Sequence, residues 1–492
     1  MTKTLLKFLA AATLAMTASA GVVCAQQTDQ SQGQQQSPPA NQGTSQSQGP
    51  IPAYRSPLAG VGGDEDDQTT SDLAPDTRPV TGAQNFSLGI PIAHSYWQPH
   101  VDFTSTIDSN PNEFTGTAEN HDDWGTWISL SGGVDVHRAT PSNDLELNYI
   151  GGGSFASNID ASNGVVQELS ISDKQVFRRW DLLVLDNASY LPESPFGFNG
   201  LGAGAGGLPG GGIITPGQTL LTGRGQNLSN EVESEVDVFL TGRASLTFVG
   251  GYSILQYFDE SLLNDGSANF RVGYNYLLNR KDTLGLDYTF IEYSYSGFNQ
   301  SITSHAARVS YGRKITGRLA FQFAAGPQIN LFHTAIAQNS TTPTIGSTTE
   351  VGWTLNTALQ YQLKRTNFTL QYDHGLTAGS GIQAGSITDT ASGSINHAVS
   401  RSLSAGIVGG YSRNSGLTVE DTETIANQVL DYWYGGGNLG YRINRTVSLN
   451  LSYQLQYQNS GAAFCVSGTC GTNIVRHMIS FGIGWRERPL LF

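Results

Sequence analysis

Four carboxylates occupy every second position from residue 231 to 237: Glu231, Glu233, Glu235 and Asp237. Side chains of an extended strand alternate between two faces. This spacing therefore gathers all four on one face and puts Val232, Val236, Val238 and Leu240 on the other. A column of carboxylates attracts cations, and it is tolerable only where water or counter-charge reaches it. Glu146, Asp287 and Asp373 fall on polar strand faces of the same kind, with Arg271 and Arg308 as opposing charges. Other chemistry finds less support. The nine histidines are scattered, with no two at metal-ligand spacing on one helix or loop, so neither a metal nor a cofactor is expected. No nucleophile motif is present, no catalytic residue is assigned, and the chain reads as a non-enzyme. The glycine runs are not phosphate loops, because no Gly-Lys-Ser/Thr follows a strand and opens a helix. A net charge of -14 argues against nucleic acid as a partner.

The elements that carry these residues share one pattern. In residues 446–458, Val447, Leu449, Leu451, Tyr453, Leu455 and Tyr457 fall on one face. Ser448, Asn450, Ser452, Gln454, Gln456 and Gln458 fall on the other. The same alternation recurs around Trp353, around Leu370 and through Ile479, Phe481, Ile483 and Trp485. Very short polar turns join these strands in pairs, as at Arg178-Arg179, Thr316-Gly317 and Asn444-Arg445. Longer Gly/Ser/Thr/Asn loops separate the pairs, as at 191–228 and 459–473. Short turns on one rim and long loops on the other are the mark of a transmembrane barrel. The fold class expected is all-β: a transmembrane antiparallel β-barrel with short periplasmic turns and long external loops. Seventeen strands can be read between residues 126 and 486, and closure needs an ascending strand before them, for which 96–107 is the candidate. Eighteen is the count, with sixteen as the alternative because 165–190 is less cleanly two-faced.

The ends differ from the body. Residues 1–25 read as a signal peptide, with Lys3 and Lys7 before an apolar run and cleavage after Ala25. Residues 26–95 are rich in Gln, Ser, Gly and Pro and read as a disordered periplasmic linker. Residues 96–492 form the barrel. Cys465 and Cys470, in one short segment, are expected to form a local disulfide. Arginine and lysine gather at the short turns (Arg178, Arg179, Arg243, Lys281 and Arg445 among them), where such side chains reach lipid headgroups. Trp124, Trp127, Trp180, Tyr257, Tyr293, Tyr295, Trp433 and Tyr457 lie near strand ends and are expected in an aromatic girdle.

With that alternation and loop pattern, residues 96–492 resemble porin-type bacterial outer-membrane β-barrel proteins. Those barrels typically finish on an aromatic residue, as this chain does at Phe492. Phe492 is out of phase with Ile479, Phe481, Ile483 and Trp485, and Pro489 intervenes. Either a bulge resets the frame or Pro-Leu-Leu-Phe is a tail. The stretch Pro192, Glu193, Pro195, Phe196 and Gly197 is similar to an inward-folded loop of general porins and is a candidate constriction; the alternative is a flexible external loop. The resemblance implies a channel for passive diffusion of small hydrophilic solutes in the outer membrane, with the acidic face favouring cations. The alternative is a non-conducting structural or adhesion barrel that acts through its external loops. It also implies outer-membrane lipid as the surroundings and the barrel-assembly machinery as a folding partner, with a homo-oligomer as one option. An energy-coupled transporter would carry a folded plug domain, and the segment before the first strand is short and low in complexity.

Overall fold

A computed structural model describes residues 80–82, 95–109, 124–157, 163–191, 226–258, 264–296, 300–336, 344–378, 385–417, 429–460 and 473–491. All of them belong to one compact unit, Asn41–Phe492. No helix among the described residues is long and apolar enough to cross a membrane.

The chain forms eighteen long strands. They are β1 (Tyr96–Asp108), β2 (Gly125–Thr140), β3 (Asn143–Ser157), β4 (Gly164–Val176), β5 (Trp180–Leu191) and β6 (Asn227–Phe239), then β7 (Ala244–Tyr257), β8 (Asp265–Leu277), β9 (Asp282–Tyr295), β10 (Gln300–Thr316), β11 (Leu319–Ile336) and β12 (Thr344–Gln362). The last six are β13 (Thr366–Thr377), β14 (Ser386–Ala398), β15 (Leu403–Gly416), β16 (Val429–Arg442), β17 (Val447–Ser460) and β18 (Asn473–Arg486). A two-residue piece, β19 (Leu490–Leu491), follows. Each long strand pairs antiparallel with its sequence neighbours, and β1 pairs with both β2 and β18. The sheet is therefore a closed eighteen-stranded barrel. The expected strand at 96–107 is the one that closes it.

The short turns follow from local chemistry. Asn279 Oδ1 accepts from the backbone N–H of Lys281 at 2.8 Å and of Asp282 at 3.0 Å. Asn444 Oδ1 accepts from Thr446 and Val447, both at 2.8 Å. Thr241 and Ser400 do the same with their hydroxyls. An Asn, Ser or Thr that bonds the backbone two or three residues ahead fixes a tight reversal. Side chains thus hold the chain at one rim, with little loop to vary.

The bulge reading of the C-terminal frame is the one observed. His100 pairs with Arg486 and Trp97 with Leu490. The last strand thus spends four steps where β1 spends three, and the extra residue lies within Glu487-Arg488-Pro489. Proline has no N–H for a ladder and is confined to such interruptions. Phe492 itself lies outside the described residues, as do the expected disulfide at Cys465 and Cys470 and the candidate constriction at Pro192–Gly197.

Alternation sorts each strand into outward and inward faces. Val351, Ile407 and Leu286 are 73%, 66% and 59% exposed although strongly apolar, while Gln456, Gln458, Asn414 and Ser412 on inward faces are fully buried. This is a globular protein's partition turned inside out. We predict that Leu451→Arg, on the outward face, lowers folding stability in lipid vesicles by about 2–4 kcal/mol, as charged side chains do at a bilayer midplane. Ser452→Arg, on the inward face, should cost clearly less. Guanidinium titration of vesicle-folded protein measures both, and equal losses would contradict the assignment of faces.

Candidate lumenal site

The acidic strand is built as its spacing implies. In β6, Glu233, Glu235 and Asp237 are buried toward the interior and Glu231 shares their face, while Phe239 ends the strand exposed. Glu146, Asp287 and Asp373 lie on inward faces of β3, β9 and β13. Arg271 and Arg308 lie on inward faces of β8 and β10. The interior brings only some of these together. Arg308 Nε donates to Asp287 Oδ2 at 2.8 Å, and Ser310 Oγ donates to Asp287 Oδ1 at 2.9 Å. Asp237 Oδ1 accepts from Thr247 Oγ1 at 2.6 Å, and Asp373 from Asn356 Nδ2. Arg271 donates to a backbone carbonyl, that of Gly82, at 2.9 Å.

Sequence reasoning missed several inward charges. Lys174 lies 3.6 Å from Asp181 across the β4–β5 hairpin. Arg476 Nε donates to Asp108 Oδ2 at 2.8 Å at the β1–β18 seam. Nearby, His100 lies 3.7 Å from Asp102 and 3.8 Å from Asp135, and Arg486 3.4 Å from Asp135. The signal was the phase of the strand at 96–107: Trp97, Val101, Phe103 and Ile107 point out, so His100, Asp102 and Asp108 must point in. A second omission is His137, Asp144 and Glu146, whose ligand-type atoms lie within 4.8 Å of one another. They come together only because the turn at 141–142 pairs His137 with Glu146. The His137–Asp144 contact, at 2.7 Å, already accounts for two of the three.

Four residues expected in the aromatic girdle face the wrong way for it. Trp127 is 2% exposed and Tyr293 0%, and Tyr257 and Tyr295 are also buried. All four point inward. Trp127 packs against Val166 and Leu191, and Tyr293 and Tyr295 join Ile302, Phe332, Leu376 and Ala378. The reason is parity: Tyr293 is an even number of residues from inward Asp287, and Trp127 precedes outward Ile128. The second cluster lies inside the barrel toward the long-loop end. β13 stays paired with β12 only up to His374, opposite Leu355, although β13 runs on to Thr377. Past that point the backbone N–H of Leu376 donates to the side chain of Gln328, an inward residue of β11, at 3.4 Å. The end of β13 leans into the barrel, and its apolar side chains meet Phe332 and Ile302.

The outward face carries a broad apolar belt. Trp124, Trp180 and Trp433 are exposed there, and Tyr411 packs against Trp433 with ring centroids 4.2 Å apart. Arg178, Arg179, Arg243, Arg280, Lys281, Arg318, Lys364, Arg365, Arg401 and Arg445 are exposed around the short-turn rim. Only lipid accommodates such a belt, and only a closed sheet crosses lipid without unpaired amides. The protein is a membrane-spanning β-barrel.

No family model matches the chain, and no curated protein matches it. Among solved structures, the barrel is similar to the ferric citrate transporter FecA in its unliganded form (7% identity, covering 81% of this chain and 79% of that one, TM-score 0.42). It is similar to Acinetobacter baumannii OccAB1 (11%, 80% and 97%, TM-score 0.39). It is also similar to Pseudomonas aeruginosa OccK2 in complex with glucuronate (11%, 81% and 98%, TM-score 0.38). Likeness this remote assigns no solute to the barrel.

The Asp287 side chain has no exposed surface, and Arg308 is its charged partner. Removing one member of a buried pair leaves an uncompensated charge. We predict that Arg308→Met destabilises the folded barrel by about 3 kcal/mol. Adding Asp287→Leu should restore most of that loss. A double-mutant cycle by chemical denaturation reads this, and additive losses would show that the pair is not coupled.

Proposed function

We propose that the barrel is a channel for passive diffusion of small hydrophilic solutes, with a preference for cations. The observation that carries this reading is the inward face itself: polar on nearly every strand and richest in carboxylates along β6. Glu231 Oε1 and Glu233 Oε2 have no hydrogen-bond partner among the described residues. Buried carboxylate oxygens call for a cation or water as partner. Solute entering this space meets four carboxylates on the β6 wall, with Arg271 the cation beside them, while Arg308 is bound to Asp287. A ring or wall of one sign selects the opposite ion.

One observation favours a second reading, a barrel that does not conduct and serves the envelope through its external loops. The apolar cluster of Tyr293, Tyr295, Ile302, Phe332 and Leu376 fills interior space near the long-loop end. Planar-bilayer recording of protein whose folding is verified by heat-modifiable gel migration separates the two. Discrete conductance steps are expected, and a folded, silent protein would favour the second reading. In a salt gradient the reversal potential should be displaced toward cation selectivity. Replacing Glu231, Glu233, Glu235 and Asp237 together by Gln, Gln, Gln and Asn should move it back toward zero. An unchanged reversal potential would remove the β6 column from the selectivity account.

A further inference from the structure

Residues 80–82 lie inside the barrel. They belong to the stretch read from the sequence as a linker. Val80 is 3% exposed and Thr81 1%. Both are enclosed by inward residues of β8, β9 and β11 close to the short-turn rim. Among the described residues, their polar backbone contacts are to side chains of the wall. Gln322 Nε2 donates to Val80 O at 3.3 Å. The Thr81 N–H donates to Asn275 Oδ1 at 3.2 Å, and Thr81 Oγ1 donates to the same oxygen at 3.1 Å. Arg271 Nη1 donates to Gly82 O at 2.9 Å. Val80 packs against Ala320.

The wall is shaped for this tripeptide. A Cβ on Gly273 would meet Thr81 Oγ1 at 2.2 Å, and one on Gly285 would meet Thr81 Cγ2 at 2.7 Å and Val80 Cγ2 at 2.8 Å. Two glycines on adjacent strands thus open the seat that any other residue would fill. The Asn275 amide is also held in the orientation the contact needs. Its Nδ2 donates to Thr247 Oγ1 at 3.0 Å, and Thr247 in turn donates to Asp237. The end of the acidic column therefore anchors the seat: Asp237 orients Thr247, Thr247 orients Asn275, and Asn275 holds Thr81.

We propose that Val80–Gly82 is a built-in plug, docked through its backbone on Arg271, Asn275 and Gln322 and narrowing the lumen at the short-turn end. The plug starts on the wall opposite the strand it leads to. Ser95, just before β1, is bonded to Ala139 on β2, whereas the seat is on β8, β9 and β11, halfway round the ring. A few neutral and one charge-assisted hydrogen bond make a reversible contact, so the docked and released states can interconvert. The docking stands on its own; the narrowing rests on the channel reading.

Two arms test it. In a chain with Cys24, Cys465 and Cys470 replaced by serine, Val80→Cys is combined with Ala320→Cys, a packed pair whose replacement leaves the docking hydrogen bonds in place, or with Ser452→Cys on the far wall as control. Oxidation of the folded protein should link 80 to 320 and not to 452, read by mass spectrometry of proteolytic peptides. Absence of the 80–320 link, or equal linkage to both positions, overturns the docking. In the second arm, Gly285→Leu, which fills the seat, is compared with the parent in planar bilayers. Deletion of Val80–Gly82 removes the docked backbone without altering the barrel wall. Each should raise single-channel conductance at least twofold, and oxidised 80–320 protein should stay in the low state. Unchanged conductance with the link intact overturns the narrowing. Silence of parent and both variants sinks the channel reading and the narrowing with it, while the cross-link still decides the docking.

Discussion

A peptide group in hydrocarbon has no hydrogen-bond partner except another peptide group. That constraint governs this chain. Eighteen strands can satisfy it only by returning to the first, and the β1–β18 seam does so from Asp108 opposite Met478 to His100 opposite Arg486. Beyond it, the one-residue bulge lets Leu490 and Leu491 rejoin β1 at Trp97 and Tyr96. Once the ring is closed, the pleat leaves no choice of face. Every second residue turns outward, apolar through most of the belt, and every other residue meets the interior.

The interior then has its own problem, since polar side chains facing each other across a barrel need partners. The wall answers it strand by strand. Arg308 meets Asp287, Arg476 meets Asp108, Ser304 donates to Asn330 and Thr388 to Asn414. At the long-loop end the solution changes to apolar packing around Phe332. At the short-turn end a piece of the chain's own leader side takes the place of solvent against β8 and β9. The acidic column of β6 spans both roles, facing the interior at Glu231 and Glu233 and bracing the seat of Thr81 through Asp237.

The barrel was largely legible because its signal is periodic and repeated. Alternation of Leu449, Leu451 and Tyr453 with Asn450 and Ser452 survives in any single strand, and observed boundaries fall within a few residues of those read from it. Errors came where proximity to a strand end outweighed phase. Tyr293 and Trp127 were placed among girdle aromatics by position along the chain, though counting by twos from Asp287 or Ile128 puts both inside. The bulge beyond Arg486 was one of two readings left open, because a frame break in sequence does not say whether pairing resumes. The seat of Val80–Gly82 left no such trace. It joins three residues of a low-complexity stretch to side chains some two hundred positions away, by contacts made mostly to backbone.

The seven tryptophans offer the most direct test of the central claim, that the sheet closes with its apolar face to lipid. Trp353 is 50% exposed on the outward face and Trp127 2% exposed on the inward one. Two single-tryptophan proteins, each retaining one of these and carrying phenylalanine at the other positions, would be folded into vesicles of brominated lipid. Fluorescence of Trp353 should be strongly quenched by the bromine-bearing acyl chains and that of Trp127 hardly at all. Equal quenching of both, or quenching of Trp127 alone, would contradict the account.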